Sequence, residues 1–155
     1  MGIGVISAIA LPSFLGDSTQ DKYMRSYWTF QAQQYVSLMN RGQQAYFAEK
    51  NAFSTSVKAF RIGTETERAH FKYSISATKK AVFNYAVGNE NNLKSYVGGV
   101  LLVPAKNFEP NAAKKEITTT SILCQADFPG TIKPAEPTYE NGKTACGKGT
   151  REVTK

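Results

Sequence analysis

The chain has 155 residues, a formal net charge of +7 and 41% hydrophobic residues. This length allows one domain with a real core rather than two full-sized domains, and the apolar content with 12% aromatic residues excludes a generally disordered chain. Because the lysines are spread thinly and do not cluster, the charge predicts at most nonspecific binding to DNA or to anionic surfaces.

The first 17 residues are mostly apolar and include Pro12 and Gly16. This run is shorter than the roughly 20 apolar residues that cross a bilayer, and no lysine or arginine precedes it, as would be typical of a secretory signal. Pro12 removes a backbone donor and crowds the preceding turn. We therefore expect a helix here to kink or to unwind locally near Pro12.

Residues 18–50 predict a long helix, because good helix formers dominate and Gly42 is the only glycine or proline among them. Its apolar and aromatic side chains form two separate stripes along the helix, which indicates that one side packs on its own domain and the other meets a neighbour. The alternative is a core helix that is buried on both sides. At about 100° per residue, the first stripe contains Tyr23, Tyr27, Phe30, Leu38 and Ala45, and the second contains Trp28, Tyr35, Met39 and Tyr46.

Residues 51–69 are predicted to form a loop, and short segments of β-branched and aromatic residues follow it. We predict strands at residues 71–77, 81–87, 95–103 and 118–127, the third carrying a Gly98-Gly99 pair that marks a bulge or a close approach. Short links between consecutive strands favour an antiparallel sheet. The expected fold class is therefore α+β: the long helix packs on a roughly four-stranded sheet within residues 70–127, and residues 128–155 form turns and a loop.

The two cysteines, Cys124 and Cys146, form no CxxC pair, and the single histidine, His70, is far from both in sequence. A zinc site would have too few ligands, so a disulfide that closes the C-terminal loop is the better interpretation. Such a bridge indicates an oxidising compartment and would stabilise the fold by about 3 kcal/mol in the chain-entropy model.

Signals for catalysis are weak. Residues 142–148 fit the start of a phosphate-binding loop, but Gly149 stands where a hydroxyl is required and too few residues follow for the helix that the motif needs. His70 has no candidate nucleophile or orienting partner, and Glu65 and Glu67 are expected to lie in a solvated loop. We therefore predict no enzyme activity, no catalytic residue, no cofactor and no metal.

These features together resemble a type IV pilin. The resemblance is carried by the apolar stretch GVISAIALPSF at residues 4–14, which leads into the long helix, and by the C-terminal cysteine loop. The segments SLMNRGQQAYF (37–47), FNYA (83–86), SYVGGV (95–100) and SILC (121–124) are similar to cyanobacterial pilin-like sequences in particular.

The resemblance implies that residues 1–17 are the second half of the family's anchor helix, with the first half missing, and that residues 18–155 are the globular domain. No acidic residue precedes Asp17, so the family's leader cleavage site, methylated residue and register-setting glutamate cannot be placed on this sequence. The side chains expected to pack in the filament core are Ile3, Val5, Ile6, Ile9, Leu11, Phe14 and Leu15, with the kink at Pro12.

By resemblance, the chain is expected to be a subunit of a helical filament of identical copies outside the cell. It would lie in the cytoplasmic membrane before assembly and work with minor pilins and the pilus assembly machinery. The filament would serve motility, adhesion or DNA uptake. Two alternatives stay open, namely a pseudopilin of a type II secretion system and a secreted or anchored binding module that never polymerises.

Overall fold

The computed structural model describes residues 2–65 and 68–153 of the chain, with side chains from residue 19 onward. It contains one α-helix and seven β-strands, with short 3₁₀ helices at Val57–Phe60 and Ala105–Asn107. The elements are α1 (Gly2–Lys50), β1 (Phe71–Ala77), β2 (Ala81–Gly88), β3 (Tyr96–Pro104), β4 (Ile117–Ala126), β5 (Thr138–Glu140), β6 (Lys143–Ala145) and β7 (Thr150–Glu152).

Helix α1 runs without interruption from Gly2 to Lys50. The local unwinding anticipated near Pro12 is therefore not found, although a bend of the helix axis there stays a prediction. The helix ends at Lys50 because Asn51 takes a left-handed conformation, with φ 56°, which asparagine tolerates better than most residues. Its amide donates a 2.8 Å hydrogen bond to the carbonyl of Phe47 and closes the last turn.

The strands form a five-stranded antiparallel sheet in the order β1-β2-β3-β4-β7, with β5 and β6 in a separate hairpin. The four predicted strands are confirmed to within two residues at each end. The expectation that residues 128–155 contain only turns and loop is wrong, because β5, β6 and β7 lie there. Each of these strands has three residues, too short for an alternating pattern to be visible in the sequence.

Both faces of the sheet are covered. On one face, α1 contributes Ala32 and Val36 to a core with Phe71, Ala86 and Tyr96. The other face buries Phe83, Tyr85, Val97 and Leu101, with Tyr139 and Cys146 of the C-terminal segment packed against them. The disulfide between Cys124 and Cys146 is confirmed, and it ties that segment to β4.

Gly98 lets α1 approach the sheet closely. A Cβ atom at this position would stand 2.7 Å from Val36 Cγ1 and closer still to Asn40 Oδ1. Gly99 does the same on the opposite face, where a Cβ would meet Pro137 Cγ at 2.6 Å. The expected close approach is therefore found on both faces, while the pairing of β3 with β2 and β4 runs through both glycines without a bulge.

A cluster of buried amides joins α1 to the sheet and to the loop after the helix. Asn84 on β2 donates to Asn40 Oδ1 at 2.9 Å, and Asn40 donates to the carbonyl of Ile122 on β4 at 3.0 Å. Gln43 donates to Asn84 Oδ1 at 3.3 Å and exchanges two hydrogen bonds with the backbone of Ser54, at 2.8 and 2.9 Å. Because these bonds have fixed donors and acceptors, they set the register of the helix on the sheet.

Candidate interaction surface

The first predicted stripe of α1 lies on the side of the helix that faces away from the sheet. Tyr23, Tyr27, Phe30 and Leu38 keep 73%, 45%, 58% and 45% of their surface exposed, and Ala45 is also exposed. The opposite side of the helix buries Ala32, Val36, Met39 and Gln43 completely. Exposed apolar and aromatic side chains in one row are costly to leave in water, so this row is the candidate interaction surface of the chain.

The second stripe turns toward the chain's own domain. Met39 is fully buried, and Trp28, Tyr35 and Tyr46 are half-buried. Trp28 stacks on His70 with ring centroids 4.3 Å apart, and Tyr35 meets Tyr73 edge to face at 5.9 Å. The two stripes therefore face different surroundings in the single chain.

The predicted filament-core side chains lie outside the described part of the chain. The structure gives a helical backbone to residues 2–18 but describes none of their side chains, which include Ile3, Val5, Ile6, Ile9, Leu11, Pro12, Phe14 and Leu15. Their packing in a filament stays a prediction.

A basic groove lies beside the part of the exposed stripe that contains Tyr27 and Phe30, between α1 and the start of β3. It is lined by Lys22, Arg25 and Lys94 together with Phe30, Tyr96 and Pro129, and has a volume of about 470 Å³. Phe128, next to Pro129 in sequence, is 81% exposed. The segment that contains Phe128 and Pro129 is joined to the segment before β3, because the Gly130 amide donates a 3.0 Å hydrogen bond to the Leu93 carbonyl.

A second groove lies at the other end of the sheet, in the connection between β3 and β4. Its lining includes Phe108, Glu109, Glu116 and Ile117, and its volume is about 620 Å³. Phe108 and Ile117 are 54% and 59% exposed. We call this the acidic groove, because the only charged side chains in its lining are the two glutamates.

Two buried tyrosines make the stability of the fold depend on pH in the alkaline range. Burial, and to a smaller extent the charge of Glu136, raises the pKa of Tyr85 to about 12. Burial also raises the pKa of Tyr96 to about 12, although Gln125 Nε2 donates a 2.8 Å hydrogen bond to its phenol oxygen and favours the phenolate. An unfolded phenol titrates near 10, so between these values the folded chain holds more protons than the unfolded chain.

The free energy of unfolding is therefore expected to be insensitive to these groups below about pH 10 and to fall as pH rises from about 10 to about 12. Urea denaturation at about pH 9 and about pH 11 measures this difference. The Tyr85→Phe variant should lose less stability over the same interval than the wild type. An equal loss in both proteins would contradict the assignment to Tyr85.

The residues considered for catalysis, His70, Glu65, Glu67 and the two cysteines, have the following positions in the structure. His70 Nδ1 lies 3.7 Å from Glu90 Oε1 while its ring stacks on Trp28. Glu65 is exposed, and Glu67 lies outside the described residues. Both cysteines are used in the disulfide, and no group of three or more potential metal ligands occurs within residues 2–65 and 68–153.

Sequence reasoning found the exposed stripe but missed the two grooves and the buried amide cluster. The grooves bring together residues from separate segments, such as Arg25 with Lys94, and no local pattern shows such a meeting. The amide cluster had a signal that could have been used. Asn40 and Gln43 interrupt the buried side of the helix at a spacing of three, and Asn84 interrupts an otherwise apolar strand.

Comparison with known proteins identifies one family. A family model described as "Type IV pilin-like G and H, putative" matches residues 30–147, which include most of the domain-facing part of α1, the first four strands and both cysteines. No curated protein and no solved structure matches the chain significantly. Within the described residues, no helix is both long and apolar enough to cross a membrane.

Proposed function

Because the chain belongs to the type IV pilin-like G and H family, we propose that it is a structural subunit that polymerises through α1 into a type IV pilus on the cell surface. The observation that carries this proposal is the row of exposed aromatic and aliphatic side chains on α1, directly opposite the buried side of the helix. The fold supports it as well, since a long helix packed on an antiparallel sheet with a C-terminal disulfide fits the type IV pilin fold.

Assembly in this proposal buries the exposed stripe between neighbouring subunits. Burial of a large apolar side chain contributes about 1.5–3 kcal/mol, so a few such residues per subunit suffice for strong association. The apolar residues 3–15 would continue this contact along the helix toward its amino terminus and form the filament core. Before assembly, the same segment would form part of the helix that holds the subunit in the cytoplasmic membrane. Minor pilins and the pilus assembly machinery are the proposed partners. The proposed use of the filament is motility, adhesion or DNA uptake.

The test compares surface filaments from cells that make the wild type or a helix variant. Filaments are sheared off, imaged by negative-stain electron microscopy and analysed by mass spectrometry. Tyr23→Asp and Leu38→Asp each place a charge on the exposed stripe, and each is expected to lower the yield of subunit in sheared filaments at least about tenfold, a loss of about 1.4 kcal/mol. The matched control, Ala59→Asp, adds the same charge to an exposed position outside α1 and should leave the yield unchanged.

Circular dichroism and urea denaturation should show all three variants folded, since the substituted side chains are exposed in the single chain. Wild-type filaments without this subunit, or a yield that is the same for Tyr23→Asp and Ala59→Asp, would contradict the proposal. If the chain is instead a binding module that never polymerises, it should be recovered as a monomer, and the stripe variants should behave like the wild type. A pseudopilin predicts sensitivity of secretion to the same variants with no extended surface filaments.

A further inference from the structure

We propose that, in the filament, the surface that contains the basic groove of one subunit docks against the surface that contains the acidic groove of the next copy of the same chain. This inference rests on the proposed polymerisation and adds a second contact, between globular domains, to the one made by α1. The basic groove is defined by Lys22, Arg25, Phe30, Lys94, Tyr96 and Pro129, and the acidic groove by Phe108, Glu109, Glu116 and Ile117.

The basic groove has charge available for a partner. Three cations line it and no carboxylate does. Within the part of the chain that the structure describes, the one contact within 4 Å between a basic and an acidic side chain is that of His70 with Glu90, so Lys22, Arg25 and Lys94 have no carboxylate partner there. Cations gathered in an open apolar groove favour an anionic partner that also brings apolar surface, because Phe30 and the neighbouring Phe128 are exposed beside them.

The acidic groove offers the complementary pattern. Glu109 and Glu116 are exposed in its lining, and Phe108 and Ile117 supply apolar surface between and beside them. The same connection also contains Lys106, Lys114 and Lys115, but none of these lysines lines the groove. Each groove therefore combines exposed apolar side chains with charges of one sign, and the signs are opposite. Such a match gives an interface its specificity and register.

The positions of the grooves fit a chain of identical copies. Tyr96, at the first residue of β3, lies in the basic groove, and the acidic groove begins at Ala105, directly after the last residue of β3. A strand of nine residues spans about 30 Å, so the two grooves lie at opposite ends of the sheet and do not overlap. One subunit can therefore use both at once. A contact between two different surfaces of the same chain is heterologous and continues indefinitely when it does not close into a ring, as a filament requires.

A second copy explains more of these observations than another anionic ligand does. Nucleic acid or an anionic polysaccharide would account for the three cations, but not for the acidic groove at the other end of the sheet. A second copy also gives every junction the same head-to-tail order, because the end of the sheet nearest Lys22 on one subunit then contacts the end farthest from it on the next.

The test reverses the charge of each groove in the full chain, again scored by the yield of sheared surface filaments. Arg25→Glu with Lys94→Glu, and Glu109→Lys with Glu116→Lys, should each lower the yield at least about tenfold, since like charges then face each other at every junction. The chain that carries all four substitutions has complementary grooves again and should recover most of the wild-type yield. Its net charge equals that of the wild type.

Matched controls change the net charge by the same amount elsewhere on the surface. Lys72→Glu with Lys79→Glu, and Glu65→Lys with Glu140→Lys, alter exposed residues outside both grooves and should leave the yield unchanged. Failure of the four-substitution chain to recover would overturn the groove contact, as would normal filaments from either two-substitution groove variant. These outcomes leave the proposed function intact if the stripe variants Tyr23→Asp and Leu38→Asp, which lie outside both grooves, still abolish filaments. Absence of wild-type filaments would overturn both proposals.

Discussion

Removing the disulfide with Cys124→Ala and Cys146→Ala is expected to lower the free energy of unfolding by about 3 kcal/mol. The bond closes a loop with a sequence separation of 22 residues, and releasing it returns that conformational entropy to the unfolded chain. Cys124 is fully buried, so alanine is chosen rather than serine, whose hydroxyl would be left without a partner in the core. Urea denaturation of both proteins measures the difference.

The loss should be concentrated in the C-terminal segment. Between Phe128 and Cys146 the noncovalent contacts of this segment include Pro137 packed over Gly99, Lys133 Nζ 4.6 Å from the centre of the Tyr85 ring, and Tyr139 OH, which accepts a 2.6 Å hydrogen bond from Asn107 in the 3₁₀ helix after β3. Amide hydrogen exchange of β5 and β6 should therefore accelerate far more than that of β2 and β3.

Adding a reductant provides the control for the disulfide variant. It should destabilise the wild type by a similar amount and leave the double-alanine variant unchanged. An equal free energy of unfolding for the wild type and the variant would show that packing of Tyr139 and Pro137, rather than the covalent bond, holds the segment. Uniformly faster exchange throughout the sheet would contradict a local effect.

Sequence reasoning predicted the four longer strands, which are seven to ten residues long and rich in β-branched and aromatic residues. Strand β1 matched the prediction, since its residues alternate between the two faces of the sheet. The end of α1 at Lys50 was also predicted, because good helix formers dominate the sequence as far as this residue. Strands β5, β6 and β7 were missed, because three residues give no period, and β7 pairs with β4, which is distant in sequence.

The candidate surface could be predicted only in part for a related reason. A helix places its side chains by a fixed angle per residue, so the row that includes Tyr23 and Phe30 could be read from sequence alone. Which of the two stripes faces the solvent depends on where the sheet packs, and the sequence left that open. The grooves depend on the fold even more strongly, since Lys94 meets Arg25 only after β3 has docked on α1.

Replacing Asn84 by alanine is expected to lower the free energy of unfolding by about 3 kcal/mol. The change removes the donor to Asn40 Oδ1 and an acceptor of Gln43 Nε2, in a site where Asn84 is fully buried. Each buried polar group left without a partner costs about 1–3 kcal/mol. Asn107→Ala is the matched control. It removes one asparagine hydrogen bond, to Tyr139 at 2.6 Å, but on the surface, and should cost less than about 1 kcal/mol.

A double-mutant cycle with Asn40→Ala separates the network from independent contacts. The two changes share a hydrogen bond and neighbouring partners, so together they should cost less than the sum of the single losses, with a difference of about 0.5–3 kcal/mol. A strictly additive result would contradict the network. If the chain polymerises as proposed, the network also connects stability to assembly, because Asn40 and Gln43 hydrogen-bond α1 to the sheet and to the loop after the helix. In the proposed filament, a helix released from this register would displace Lys22 and Arg25 from Lys94 in the basic groove, so Asn84→Ala should also reduce filament yield at temperatures where the subunit remains folded.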